Sequence, residues 1–198
     1  GDVADLAIVL ASENGAPVWV AVNLNGDGVE RETVKTLDPT RSHARLRFKG
    51  AAADRLGAVG DGAENHEQLM QRVAVLTAFE QVGGSTRCVE ISTDYAKERY
   101  AFGRPIGSNQ AIKHKLAMMW VKTEVARSHA YYGAWALSTG ASELPKAAAA
   151  SRVAGCEAYW FASKETIQTH GGMGFTWEVD AHLFYRRAKL LGVQCGAE

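Results

Sequence analysis

The segment from Arg99 to Gly107 contains residue types that can hold a nucleotide. It reads Arg-Tyr-Ala-Phe-Gly-Arg-Pro-Ile-Gly, and its glycines and proline indicate a junction between two helices. The planar guanidinium of Arg99 is suited to two parallel hydrogen bonds with a pyrophosphate. The ring of Phe102, three residues later, is suited to stacking on a planar ring. Spacing alone leaves an alternative open, an ordinary loop in which Arg99 is solvated and Phe102 fills the core.

A second candidate segment runs from Gln168 to Phe175 and contains three glycines at the end of a helical pattern. Glycine lets a backbone come close to a phosphate or a sugar. The amide of Gln168, three residues before Gly171 and four before Gly172, is placed to join such a site. The alternative is a common helix cap, in which glycine only ends the helix.

Other residue types give little support to a metal site or a nucleophile. The six histidines include no HxxxH or HExxH pair and no cysteine stands at ligand spacing, so we expect no metal. No GxSxG motif is present, although a Ser/His/Asp arrangement stays open. We expect the basic run Lys113-His114-Lys115 to be a solvated helix face. We expect the helical aromatic residues to be bundle core: Tyr131, Tyr132, Trp135, Tyr159, Trp160 and Phe161.

Two classes of secondary structure must position these segments. Before residue 63, apolar or alternating runs predict strands, and Asn14-Gly15 predicts the turn of a hairpin between the first two. From residue 63 on, apolar residues recur at helical spacing. We expect a β-domain at residues 1–62 and an antiparallel bundle at 63–198, with helices near 63–99, 108–138, 145–170 and 180–191.

The composition is that of an ordinary globular protein without net charge. Its 198 residues include 22 Lys and Arg against 22 Asp and Glu, which argues against a nucleic-acid arm or a polybasic membrane surface. No apolar run is long enough to span a bilayer. Cys88, Cys156 and Cys195 are widely spaced, which indicates reduced thiols and a cytoplasmic location. The first residue is Gly1 rather than Met, and we expect the chain to begin inside a larger domain.

In their order and spacing, the two candidate segments resemble the acyl-CoA dehydrogenase family. The resemblance also rests on Glu80–Gly84, Tyr95–Gly107 and Gln110–Ala117. It runs from within the family's middle β-domain to near the end of its C-terminal bundle. It implies an α+β fold, with a partial antiparallel β-domain followed by a four-helix up-down bundle.

The resemblance implies an FAD cofactor. At matching positions the family's Arg, here Arg99, binds the FAD pyrophosphate, and its Phe, here Phe102, lies by the adenine end. Gln168, Gly171 and Gly172 match residues that contact the same dinucleotide. The family's flavin ring lies mainly in a neighbouring subunit, so the resemblance implies a homo- or hetero-oligomer. Its implied partners are an acyl-CoA substrate and an electron-transfer flavoprotein.

The catalytic base of the family has no direct counterpart. The reaction implied, α,β-desaturation of an acyl-CoA thioester, needs a carboxylate to remove the α-proton. The two positions that carry this Glu in branches of the family are occupied by Cys195 and Val73. Glu80 lies two helical turns beyond Val73, on roughly the same face, and is our candidate base. Its alternative is a Glu that only packs helices together.

Two further explanations of the missing base stay open. In the first, the chain is the non-catalytic, FAD-supporting half of a heteromeric dehydrogenase. In the second, it is an enzyme in which the Cys195 thiolate acts as the base. A flavin oxidase with the same fold is a third functional class. The acyl group of the substrate is not identified by the sequence.

Overall fold

The computed structural model describes residues 2–58 and 60–194. These residues form two compact units, one up to Met70 and one from Gln71 onward. Cys195, one of the two family base positions, lies outside the described residues. The domain boundary predicted between residues 62 and 63 stays a prediction.

The first unit is built from antiparallel strands. They are β1 (Leu6–Glu13), β2 (Ala16–Asn23), β3 (Val29–Val34), β4 (His43–Phe48) and β5 (Asp54–Leu56). β2 lies between β1 and β5 in one sheet, and β3 pairs with β4 in another. The turn between β1 and β2 has positive φ at Asn14 (52°) and Gly15 (83°), as a two-residue hairpin requires. The predicted first hairpin is therefore confirmed.

Helix α1 (Gly62–Glu98) begins inside this first unit. The indole Nε1 of Trp19 donates a hydrogen bond to the Gly62 carbonyl at 3.2 Å. A Cβ atom at Gly62 would lie only 2.6 Å from the Pro17 backbone. The start of the helix is thus held close to β2 at a position where only glycine fits.

The remaining helices are α2 (Gln110–Thr139), α3 (Leu144–His170) and α4 (Ala181–Val193), and a small hairpin of β6 (Tyr100–Ala101) and β7 (Arg104–Pro105) joins α1 to α2. The four predicted helices are confirmed within a few residues at each end. Gly140, at φ 63°, ends α2 in a left-handed cap, and Pro145 occupies the first turn of α3.

Successive helices run in opposite directions. Residue numbers rise along one helix as they fall along the next in these contacts: Phe79–Tyr131 and Thr86–Arg127, His129–Ser151 and Lys115–Glu165, and Arg152–Gly192 and Trp160–Tyr185. The second unit is therefore an up-down bundle, as predicted, with α1 and α3 parallel.

The bundle is packed largely with small side chains. Ala126, Ala130 and Gly133 form the buried face of α2, and Tyr159 of α3 is buried against α1. The other large aromatic side chains on these helices were also predicted to lie in the core. That prediction is wrong for four of them. They are between 38% and 63% exposed because they lie on the outer faces: Tyr131, Tyr132, Trp135 and Trp160.

Within residues 2–58 and 60–194, no helix has the length and apolar character of a membrane span. The same residues contain no cluster of His, Cys, Asp or Glu side chains arranged to hold a metal ion.

Candidate functional site

The junction between α1 and α2, residues 99–107, forms one part of the candidate site, which we call the hairpin corner. The backbone of Arg99 is fixed on both sides, since its N–H donates to Tyr95 O and its carbonyl accepts from Ile106 N, each at 2.8 Å. Its side chain is exposed. Among the described residues it has neither an ion pair nor a hydrogen-bond partner. The guanidinium is therefore available to an anion from outside the bundle.

Phe102 lies at the tip of the β6–β7 hairpin. Ala101 pairs with Arg104, so Phe102 and Gly103 alone form the turn, with φ values of 54° and 79°. A left-handed conformation is unfavourable for a side chain with a Cβ atom, yet the Phe102 ring is fully exposed. The alternative in which Phe102 fills the core is wrong, because the hairpin presents the ring to solvent.

The end of α3, residues 168–175, forms the second part, which we call the glycine corner. Gln168 is exposed in the last helical turn, and Gly171 caps the helix by donating its N–H to Gln168 O. At φ 62° and ψ −137°, Gly171 has a conformation that is open essentially to glycine. A Cβ atom at Gly171 or Gly172 would meet no atom of the described residues within 4 Å. The helix-cap role is real, and the backbone beside it is also open to a ligand.

Gly174, the third glycine of this corner, has a different function. A Cβ atom there would lie 2.6 Å from the Ile167 carbonyl oxygen. Close packing of the turn on α3 explains this glycine without a ligand.

Two contacts between α1 and α3 bring the corners to the same end of the bundle. The rings of Tyr95 and His170 stack with their centroids 4.3 Å apart. Ser92 Oγ donates to Thr166 Oγ1 at 3.0 Å in the buried interface. Tyr95 precedes Arg99 by one helical turn, and His170 directly precedes the glycines, so the stack joins the two corners.

Sequence reasoning missed the residues that support the glycine corner. Lys115, expected to be solvated, forms a 2.8 Å ion pair with Glu165, and both side chains are mostly buried. This pair joins α2 to α3 one turn before Gln168. Tyr95 and His170 lie within the segments that resemble the family, but only their tertiary contact assigns them a role. The sequence did contain one signal for Tyr95: it stands four residues before Arg99, a spacing that places two residues on the same face of a helix.

The candidate base Glu80 forms an ion pair with Arg187. Its Oε1 accepts a hydrogen bond from Arg187 Nη1 at 2.7 Å, which joins α1 to α4. Both side chains are partly exposed. Val73 is partly buried on the same helix. The contact supports the helix-packing alternative for Glu80.

The residues at the two corners fit an FAD. The exposed guanidinium of Arg99 suits a pyrophosphate, and the exposed Phe102 ring suits an adenine. The open backbone at Gly171 and Gly172 leaves room for close approach, beside the exposed Gln168 amide.

Comparisons with known proteins identify the family of this chain. The family model described as "Acyl-CoA dehydrogenase, C-terminal domain" matches residues 60–198. Acyl-CoA dehydrogenase IpdE2 of Mycobacterium tuberculosis is 36% identical over 194 residues, which cover 95% of this chain and 52% of that protein. The chain therefore spans about half the length of this relative.

Solved structures show the same fold. A chain described as the electron transferring flavoprotein of Acidaminococcus fermentans superimposes with a TM-score of 0.94 at 24% identity, covering 100% of this chain and 54% of that one. An acyl-CoA dehydrogenase of Bacillus anthracis, described as complexed with FAD, gives a TM-score of 0.85 at 26% identity, covering 98% and 37%. With its bundle matched in both sequence and fold, this chain belongs to the acyl-CoA dehydrogenase family.

Proposed function

We propose that this chain supplies part of the FAD site of an acyl-CoA dehydrogenase, which converts an acyl-CoA thioester into its trans-2-enoyl product. One observation carries the proposal. The Arg99 cation, which has no side-chain partner within residues 2–58 and 60–194, and the open backbone of Gly171 and Gly172 lie at one end of the bundle, joined through the Tyr95–His170 stack. An anionic dinucleotide is the ligand class that uses all of these features, since the cation suits its pyrophosphate and the glycine backbone permits its close approach.

Each residue has a binding role in this proposal. Arg99 donates two hydrogen bonds to the pyrophosphate, and Phe102 packs on the adenine end. Gln168 donates its amide N–H, while the glycine backbone at 171 and 172 permits close contact. When bound, the flavin accepts the hydride that leaves the β-carbon of the substrate. The FAD described in the Bacillus anthracis relative supports the choice of cofactor.

The subunit role has two candidates. In the first, Glu80 removes the α-proton and the chain is catalytic. In the second, the chain is a non-catalytic, FAD-supporting subunit, and the base lies on a partner chain. The Glu80–Arg187 contact favours the second, because the carboxylate already accepts a 2.7 Å hydrogen bond from a guanidinium of α4 and so has a role in helix packing.

The proposed partners follow from the family. We expect an acyl-CoA substrate, an electron-transfer flavoprotein as electron acceptor, and a homo- or hetero-oligomer with FAD at the subunit interface. The similarity to the Acidaminococcus fermentans chain supports the electron-transfer context. Exposed rings on α2 support an oligomer. The cytoplasmic location stays a prediction.

The test compares the chain purified alone with the chain co-expressed with the partner recovered from its native host. Yellow protein that bleaches with an acyl-CoA without a partner supports the catalytic candidate. Colourless protein that gains FAD and turnover only with the partner supports the second. Absence of FAD from both preparations would contradict the proposal. Substrate-dependent oxygen consumption without an added acceptor would identify an oxidase.

A further inference from the structure

A cavity of about 310 Å³ lies between α3 and α4. Its walls include Cys156 and Trp160 of α3 and Lys189 and Gly192 of α4. The Lys189 ammonium lies 5.1 Å from the centre of the Trp160 ring. The cavity is large enough to admit water-sized molecules, and the proposed dehydrogenase function does not use it.

The thiol of Cys156 faces two nitrogen donors. The Arg152 guanidinium donates to Cys156 Sγ through Nη1, and the Gln81 amide donates to the same sulfur at 3.1 Å. Arg152 is itself held in place, since its Nη2 donates to Gly192 O at 2.9 Å. A fixed cation and an N–H donor at a sulfur atom stabilise the thiolate, which is the reactive form of cysteine.

Gln81 provides a second, independent observation. Its side chain is completely buried, its amide nitrogen points at Cys156 Sγ, and its Oε1 has no hydrogen-bond partner among the described residues. A buried amide oxygen normally has a donor. A hydroxyl group attached to the sulfur would supply a donor next to this amide.

We propose that Cys156 is a modification site at which a hydroperoxide oxidises the thiol to a sulfenic acid. The thiolate sulfur attacks one peroxide oxygen, so that an S–O bond forms and the O–O bond breaks. Sulfur is oxidised by two electrons, and the second peroxide oxygen takes up a proton and leaves as water when the oxidant is hydrogen peroxide. Arg152 stabilises the thiolate before the step, and Gln81 accepts the hydrogen bond of the sulfenic acid after it.

Cys88 is the internal comparison. Both thiols are buried, with 5% of Cys156 and 0% of Cys88 exposed. Burial raises the pKa of the Cys88 thiol to about 12, and Cys88 does not line the cavity. Trypsin separates the three cysteines into different peptides, Cys88–Lys97, Val153–Lys164 and Leu190–Glu198. Modification of Cys156 is therefore measurable in the native chain without any substitution.

The experiment treats the full native chain with hydrogen peroxide in the presence of dimedone, which traps sulfenic acids. Tryptic peptides are then quantified by mass spectrometry over time. We expect the adduct on Val153–Lys164 to form about tenfold faster, or more, than the adduct on Cys88–Lys97. Equal rates for the two peptides would overturn the proposal. So would a Cys156 that reacts only after denaturation.

Substitutions then test the chemistry of the site. Arg152→Met should slow labelling of Cys156 about tenfold, while Arg152→Lys, which keeps the charge, retains most of the wild-type rate. Arg127→Met, at a guanidinium that contacts Glu124 and Thr86 instead, is the matched control and leaves the rate unchanged. An Arg152→Met chain that folds and reacts as fast as the wild type would contradict the role of the guanidinium.

Discussion

Arg99 leaves the last turn of α1 with its backbone hydrogen-bonded on both sides and its guanidinium free of carboxylates in the described chain. Substitution of Arg99 should therefore remove one charge-assisted contact with FAD without removing the backbone hydrogen bonds. We expect Arg99→Ala to weaken FAD binding by the assembled protein about ten- to hundredfold. Raised salt should weaken wild-type binding in the same direction. The measurement is flavin retention, followed by fluorescence during dilution.

Arg87→Ala is the matched control for this charge. Arg87 is on the same helix, is exposed, and pairs with Glu90 at 2.9 Å. It lies three helical turns before the hairpin corner. Its loss should leave FAD binding unchanged. An Arg99→Ala protein that keeps flavin as tightly as the Arg87→Ala protein would show that Arg99 does not bind the pyrophosphate.

Phe102 combines backbone strain with full exposure, which predicts opposite effects on stability and binding. Phe102→Gly should raise the free energy of unfolding by about 1 kcal/mol, because glycine adopts positive φ without a Cβ clash. It should also weaken FAD binding. Phe102→Ala keeps the strain and loses the ring, so it should weaken binding without stabilising the chain. Unchanged FAD affinity in both variants would remove the stacking role.

The candidate site was predictable where its chemistry resides in one segment. Arg99 and Phe102, and likewise Gln168 and the glycines, stand at fixed local spacing in the sequence. The Glu80–Arg187 contact was not predictable, because its partners are 107 residues apart. Such a contact depends on how deeply two helices pack, which no local pattern encodes.

At the scale of the helices, the crossing of α1 and α3 sets the distance between the two corners. A Cβ atom at Gly84 would lie 2.4 Å from the Tyr159 ring, which is buried, so the ring or the helix must shift to admit it. Gly84→Ala should therefore lower the free energy of unfolding by about 1–3 kcal/mol. FAD binding should weaken as well, since α1 and α3 are pushed apart. Thermal melts and flavin retention measure the two effects.

Gly83 provides a neighbouring control on the same helix. It is exposed, and a Cβ atom there meets nothing within 4 Å. Gly83→Ala should stabilise the chain by about 1 kcal/mol through helix propensity. If both alanine variants had the same stability, close packing at Gly84 would not be what holds α1 against α3.

The Glu80–Arg187 contact joins α1 to α4 and gives a second test at this scale. If Glu80 only packs helices, Glu80→Gln keeps a hydrogen-bond acceptor for Arg187, and turnover of the FAD-loaded assembly should change less than about tenfold. Loss of a catalytic base would lower turnover about 10²- to 10⁴-fold. Glu90→Gln, in an exposed pair with Arg87, is the control. A large loss confined to Glu80→Gln would identify Glu80 as the base after all.

At the scale of the whole molecule, the sequence predicted the secondary-structure elements well. It predicted less well which faces of those elements are buried. Helical periodicity located all four helices, and Asn14-Gly15 located the first hairpin. Strands β3 and β5 were missed, because β3 carries charges at Glu30 and Glu32 and β5 has only three residues. The outward rings of α2 were misplaced because a helix lined inside with alanine and glycine needs no aromatic core.

Those outward rings give the last prediction, the assembly state. On α2, Tyr132 and Trp135 stack at 5.6 Å while both stay about half exposed, and Trp120 and Tyr131 are exposed on the same helix. Exposed aromatic groups of this kind mark protein interfaces. Native mass spectrometry should show an oligomer, and Trp135→Glu should shift it towards the monomer and release FAD. Ala149→Glu, an equal charge change at an exposed site on α3, should leave the mass unchanged. A Trp135→Glu protein with wild-type mass and flavin content would show that this face of α2 does not form the interface.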